Sequence, residues 1–436
     1  MPKNEPLLIA ASHFWSDAIN AFIFGHGPMT ITLADIFMMT GLGVSGIPYP
    51  DKYKGKSSQK AIKPGGGWSS YIQTYMESGS ISDKEYKAFL NMWLCRFVFC
   101  GKANEPTLNY LLIAEDLAVG TYIPLGKYLL GTFYHMMHQI SNQMRSGDKI
   151  IAVNGPWWLL QMWVQLYMHQ IIFVNLYSLS FPSINYAEDQ TPTTKGCQTY
   201  GEAASAINVR IDSGHLFKLF YKGFGSFLWL PYRENEDITL PCKFNYETGC
   251  DDKISTELFN SFIKPCALPA EFHHGWSVHP IYEFYNPNMV ARQLGCGQLP
   301  PKLFFSEMVR PREEFKEKLE YKRVFELGWN LPSYEPSPFA IIDIAHPTFS
   351  SWWQNWHSYL FKTSVHPLCQ KLEADFESDS EVITLIFSPL YSAFIHVLTK
   401  YHLNRILSLP LPPGKSHIIL LVQNLLWDGR LQPWQY

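Results

Sequence analysis

Ser82-Asp83-Lys84-Glu85-Tyr86-Lys87-Ala88-Phe89-Leu90-Asn91-Met92-Trp93-Leu94-Cys95-Arg96-Phe97 is the stretch that decides the fold class. Its first four residues fit a capping box. A serine hydroxyl at the N-cap can take an orphan backbone N–H of the first turn, and a glutamate at N3 can reach back. Tyr86, Phe89, Leu90, Trp93, Leu94 and Phe97 follow at spacings of three and four, which lines them along one helical face. The segment therefore reads as a helix with a core on one side.

The same grammar recurs on both flanks. Pro124 stands where a proline at the first helical position would stand. Leu125, Leu129, Phe133, Met136, Met137 and Ile140 continue one face, and Gly147 should stop it. Pro156 opens a further helix. From Trp157 to Met168 it is apolar on nearly every side, so it should sit at the centre of the core. Gln161 and Gln165 are its polar exceptions, and buried amides require hydrogen-bond partners. Toward the N-terminus, Leu7, Ala11, Trp15, Ala18 and Phe22 fall on one face and predict a helix over 7–24, broken by Gly25-His26-Gly27-Pro28. Thr32 can cap a second helix with Asp35 in its first turn, and Gly41 can close it in the left-handed conformation.

Other segments read differently. Residues 45–70, rich in Gly, Ser, Lys and Pro, read as an exposed loop, and 182–206 as a long loop. Leu216–Tyr232 alternates weakly around Gly223 and Gly225 and predicts a hairpin. Phe339–Ile344 reads as a short strand. The mixed charges of 310–326 read as a solvated helix. Helical spacing returns after Pro389 through Phe394, Leu398 and Ile406, and Pro410–Tyr436 reads as loosely packed. The expectation is a mainly α protein: one large helical globular domain with minor β elements in the middle of the chain.

Composition agrees with a large core. Of 436 residues, 47% are hydrophobic, 15% aromatic and 17% charged, against about 25% charged in an average globular chain. Lysine and arginine total 35 and aspartate and glutamate 38, for a net charge of −3. No overall positive field would steer the chain to nucleic acid. The 8 cysteines form no C-x-x-C pair and read as reduced, mostly buried thiols. Met1–Pro6 lacks the basic start and apolar core of a signal peptide, and there is no N-x-Ser/Thr sequon; both fit an intracellular protein. Ile150–Ala187 contains no Asp, Glu, Lys or Arg, but Asn154, Gln161, Gln165, His169, Gln170 and Asn175 interrupt it. It reads as core rather than membrane span.

Candidate chemistry is sparse. Ser57-Ser58-Gln59-Lys60 matches S-x-x-K but lies in a hydrophilic loop, where a buried acylase site would not form. Cys242, Cys250, Cys266, His273, His274 and His279 could supply zinc ligands, yet their spacings are irregular and a tetrahedral site usually draws on close pairs. Glu115-Asp116 and Asp251-Asp252 are adjacent carboxylates. Neighbours on a helix point about 100° apart, so adjacency does not make an acid/base pair. Gly65-Gly66-Gly67 lacks the Lys-Ser/Thr of a P-loop and reads as a flexible turn. Trp157-Trp158 with Trp163, and Trp352-Trp353 with Trp356, read as core or as a docking face, and lack the basic residues that base stacking would need. No catalytic, cofactor-binding or metal residue is assigned, and no cofactor is expected.

The order of several blocks resembles the plant mobile domain, also labelled the aminotransferase-like plant mobile domain. These are His13-Phe14-Trp15-Ser16, Asn20, Phe24-Gly25-His26-Gly27-Pro28-Met29, Thr32-Leu33-Ala34-Asp35 and Thr40-Gly41-Leu42. Asn154–Trp163 looks like the family's tryptophan helix, Phe227–Tyr232 like its W-x-P-Y block, and Tyr285–Gly295 like its R-Q-x-G segment. The likeness runs from about residue 7 to 360. Residues 1–409 are taken as the domain, shortened at its N-terminus relative to the family pattern, and 410–436 as a poorly matched segment. The resemblance implies a plant protein of transposon ancestry, nuclear, and connected with transposon and gene silencing, genome stability and meristem maintenance. It implies a phosphatase-like protein partner and an indirect association with chromatin. Aminotransferase chemistry would need a Schiff-base lysine, a carboxylate for the pyridinium nitrogen and a phosphate cup, and none can be placed. The expectation is a non-catalytic protein-interaction module. The alternative is a nucleic-acid-binding or enzymatic component kept from a mobile element.

Overall fold

The computed structural model describes residues 4–53, 66–76, 80–101, 106–146, 153–167, 184–185, 193–194, 213–223, 229, 253–270, 281–301, 304, 323, 326, 331 and 344–361. Of these, 60% are helical and 9% lie in strands, so the protein is mainly helical. In chain order the elements are α1 (Glu5–Ser12), β1 (Trp15–Ser16), β2 (Ala21–Phe24), β3 (Gly27–Met29), α2 (Leu33–Thr40), α3 (Trp68–Tyr75), α4 (Asp83–Trp93) and α5 (Leu111–Ala118). Then follow α6 (Leu125–Ser146), α7 (Trp157–Tyr167), β4 (Ile184–Asn185), β5 (Thr193–Thr194), α8 (Ser213–Lys222), α9 (Lys253–Ile263), β6 (Cys266–Pro269), β7 (Tyr282–Tyr285), a 3-10 segment (Pro287–Leu294) and α10 (Pro347–Leu360).

At α4 the serine half of the expected capping box is present, and at α2 the box is complete. The Ser82 side chain accepts from the Glu85 N–H at 3.2 Å and starts α4. Thr32 and Asp35 form a full capping box, and Gly41 at φ 67° closes α2. The face of α6 from Leu125 to Ile140 is buried throughout, and the helix ends at Ser146. Around it, α2 and α1 pack on one part, and β6 and β7 on another.

α7 is the buried helix that its composition requires. Leu159, Leu160, Trp163 and Val164 are fully buried, and Leu166 is buried too, while Trp157 and Trp158 lie half-buried against the same core. Gln161, itself buried, accepts from the Asn4 N–H at 3.0 Å, which ties α7 to the start of α1. The Gln165 side chain and Met168 lie outside the described residues. Among the described residues no helix is long and apolar enough to cross a membrane.

Two sequence expectations are overturned. The first is the helix over 7–24. It stops at Ser12, and β1, β2 and β3 follow as an antiparallel sheet pairing Trp15 with Phe22 and Phe22 with Met29. So β structure stands at the start of the chain as well as in its middle. Every residue of β2 is buried. A strand covered on both faces has no polar alternation, and its apolar residues can match a helical pattern by coincidence. Ala18, placed on the core face by that pattern, is exposed. Asn20 takes a left-handed φ of 51° where the chain reverses, a conformation asparagine tolerates better than most residues.

The second is the hairpin over 216–232. Its first part is α8, with Leu216, Phe217 and Phe220 buried. Gly223, at φ 75°, ends that helix by donating to the Leu219 carbonyl, and does not turn a hairpin. The 45–70 stretch also carries more structure than a loop, with a 3-10 turn at Pro50–Tyr53 and the start of α3 at Trp68. Within 182–206, Ile184–Asn185 pairs with Thr193–Thr194. Most of 310–326 and of Phe339–Ile344, and all of 362–436, lie outside the described residues.

The second tryptophan cluster is partly core. Trp353 is buried with Ile19, Ile23, Met289, Val290 and Phe349 in a small satellite cluster. Trp352 and Trp356 stack at 5.1 Å and are half-buried beside it. The main core rests on α7. Trp163→Ala should lower unfolding stability by about 3–5 kcal/mol, the usual cost of emptying a packed aromatic site. Urea denaturation measures this, and an unchanged midpoint would contradict the central placement of α7.

Candidate functional site

The sequence blocks that are far apart in the chain meet at the β2–β3 turn. Phe24 pairs with Gly27, so Gly25 and His26 make the connection. This turn is half-buried, and its shielded backbone groups must find partners within the protein. The Gly25 N–H donates to Phe220 O of α8 at 2.9 Å. The Thr30 N–H donates to Gln293 Oε1 at 2.9 Å, and Gln293 Nε2 donates back to Thr30 O at 2.9 Å. One primary amide thus satisfies both backbone groups of one residue. Gln293 is fully buried, which makes the match obligatory.

Arg292, the preceding residue, completes the clamp. Its Nη2 donates to His26 O at 3.1 Å. Its guanidinium carbon stands 3.6 Å from the centroid of the Trp229 ring and 5.3 Å from that of Phe349. A guanidinium is planar and weakly hydrated, so it stacks on an indole at little desolvation cost. Two glycines make room. A Cβ on Gly27, whose φ is 139°, would lie 2.2 Å from Arg292 Nη2. A Cβ on Gly25 would lie 2.2 Å from Tyr221 O.

Electrostatics follow from this packing. His26 Nε2 lies 3.0 Å from Met29 Sδ, and its ring meets Trp229 edge-on at 5.5 Å. Burial, with the Arg292 charge adding to it, pulls the His26 pKa down to about 3. The imidazole is therefore neutral at pH 7.

A second node sits one layer deeper. Asp35 accepts from the Thr32 N–H and hydroxyl at 2.8 Å each, and from the Tyr167 hydroxyl at 2.8 Å. The capping carboxylate of α2 is therefore also the anchor of α7. Tyr134 of α6 donates to Ile31 O at 2.9 Å in the same layer. Burial raises the Tyr167 pKa well above its ordinary value, and the Asp35 charge adds to this.

Of the residues singled out for chemistry, Asp116 and Cys266 are described and stand on separate elements, α5 and β6. Asp116 accepts from the Tyr53 hydroxyl at 3.0 Å, a contact between α5 and the 3-10 turn. Cys266 is buried on β6, and burial pushes its thiol pKa up. Cys242, Cys250, His273, His274, His279, Ser57–Lys60 and Asp251-Asp252 lie outside the described residues. Cys95, Cys100, Cys266 and Cys296 are free thiols, with Cys95 and Cys266 buried. Among the described residues no group of His, Cys, Asp and Glu could hold a metal ion. Gly67 caps α3, so the glycine run ends as a helix start.

What the clamp does is mechanical: it fastens the N-terminal hairpin, Trp229 and the 3-10 segment. Sequence reasoning saw Arg292-Gln293 only as part of a familiar block, since no local pattern tells that an amide will pair with a backbone 263 residues away. Gln293→Leu, which leaves two buried backbone groups unmatched, should cost about 2–5 kcal/mol in urea unfolding. Arg292→Lys, which keeps the charge but loses the stacking plane, should cost about 1–2 kcal/mol. Equal stability of wild type and Gln293→Leu would rule out the clamp as described.

A family model described as the plant mobile domain matches residues 1–354. The match takes in all of the clamp. Neither the curated proteins nor the solved structures yield a significant match.

Proposed function

We propose that this chain, which belongs to the transposon-related plant mobile domain family, is a non-catalytic protein-interaction module acting in the nucleus. In this reading it serves transposon and gene silencing, genome stability and meristem maintenance. Its partner is a phosphatase-like protein, and its association with chromatin is indirect through that partner. The observation that carries the non-catalytic part is the clamp. The charged and polar residues of the family-like blocks, Arg292, Gln293, Thr32 and Asp35, contact the chain's own backbone and hydroxyls. A catalytic constellation would instead direct such groups at a cleft where a substrate atom could sit.

The charge balance supports protein over nucleic acid as the direct partner. With 35 basic and 38 acidic residues, long-range attraction to a polyanion is weak. The alternative reading keeps a nucleic-acid-binding or enzymatic component from an ancestral mobile element. Affinity purification of the tagged chain from plant nuclei should recover a reproducible protein partner that survives nuclease treatment. The purified chain should bind duplex DNA no more tightly than a neutral control at physiological salt. DNA affinity that falls steeply with salt, together with loss of the partner on nuclease treatment, would favour the alternative.

A further inference from the structure

The other end of the N-terminal hairpin, the β1–β2 turn, is held by α6 through histidines. His138 Nδ1 lies 3.5 Å from Asp17 Oδ1, and Arg145 of the same helix pairs with Asp17 Oδ2. Ser141, between them, donates to Asp17 Oδ2 at 3.1 Å. One turn earlier, His135 Nδ1 lies 3.6 Å from Glu283 Oε1 of β7. Asn20, the residue with left-handed φ in the turn, donates to Glu283 Oε2 at 3.2 Å and to Phe284 O at 3.0 Å. The turn, α6 and β7 are thus joined by two histidine–carboxylate contacts, one of them to a carboxylate that is wholly buried.

We infer that these contacts form a pH-sensitive clasp that grips the β1–β2 turn more firmly as His135 and His138 gain protons. The sign follows from charge. An imidazolium attracts the carboxylate it faces, and a neutral ring does so only weakly. Histidine is the side chain whose ordinary charge change falls between about pH 5 and 8, so the grip tightens as pH falls through that range. The rings stand 6.2 Å apart, and two imidazolium charges at that distance repel. Each has its own carboxylate to offset this. The remaining ring nitrogens are placed against amides, His135 Nε2 2.9 Å from Gln139 and His138 Nε2 3.0 Å from Asn142. A side-chain amide can turn either its oxygen or its nitrogen to the ring, so it serves both protonation states.

The other titratable groups near α6 are kept neutral by burial or engaged by other partners. Tyr134 on α6, Tyr285 on β7 and Cys266 on β6 are pushed up by burial and stay neutral below pH 8. Asp35 of α2 is engaged by Thr32 and Tyr167. Lys127, at the start of α6, donates to Gly46 O. Two histidines elsewhere act in the opposite direction. Burial lowers the pKa of His26 to about 3 and also lowers that of His357, so both favour the fold as pH rises. Only a comparison between variants separates the clasp from them.

The test is backbone hydrogen exchange over residues 15–24 at pH 6 and pH 8, corrected for intrinsic rates. It compares the wild type with the His135→Gln/His138→Gln double variant. The ratio of protection at pH 6 to that at pH 8 should be roughly threefold to tenfold larger in the wild type, the scale of two partly screened ion pairs. The same ratio in both proteins would overturn the clasp. If the double variant does not fold, Asp17→Asn provides the second measurement. It removes the carboxylate facing His138 and should lower the wild-type ratio. An unchanged ratio in Asp17→Asn would likewise overturn the clasp.

Discussion

A hairpin buried on both faces has to find partners for its turn, and that need organises this protein. β2 and β3 are covered throughout, and the connection between them is half-buried, so much of its backbone is shielded from water. An unmatched backbone group there would cost on the order of 1–3 kcal/mol. The chain meets this need from distant segments: Phe220 O takes the Gly25 N–H, Gln293 takes both groups of Thr30, and Arg292 takes His26 O. Each of these contacts closes a long loop, which is entropically slow to form.

The core beneath it is aromatic, and its few polar atoms are shared between elements. Asp35 caps α2 and accepts from Tyr167 of α7. Tyr134 of α6 reaches Ile31 O and lies 3.3 Å from the Thr30 hydroxyl. Tyr285 donates to Phe262 O at 2.7 Å and joins β7 to α9. In a low-dielectric interior such bonds polarise one another, and each becomes costly to lose. Rings fill the space between: Phe22 stacks on Phe24 at 5.4 Å and on Trp163 at 5.6 Å. The hairpin and α7 thus share one aromatic stack.

Cations are also spent inside. Arg292 is enclosed by Trp229 and Phe349, and Lys127 is buried with its ammonium 2.7 Å from Gly46 O. Burial lowers the Lys127 pKa. Both side chains hold loop carbonyls in place. In a chain with only 17% charged residues, positive charge used this way is withdrawn from the surface. That is a structural reason for reading these blocks as stabilising the fold.

The sequence by itself determined the helices whose signals are local. Ser82 and Glu85, Thr32 with Asp35 and Gly41, and the apolar run after Pro156 each act within a few residues of themselves, so spacing alone locates α4, α2 and α7. It determined that Gln161 must have a partner, because an amide among apolar residues cannot remain unmatched. It did not say that the partner is Asn4, which lies 157 residues away. Only the tertiary structure decided that residues 15–29 form strands, since burial on both faces removes the alternation that marks a strand. Only the tertiary structure decided that Gly223 ends a helix and that Arg292 lies on Trp229. Those outcomes depend on which distant segment supplies the missing hydrogen bond or the missing ring, and no local pattern carries that information.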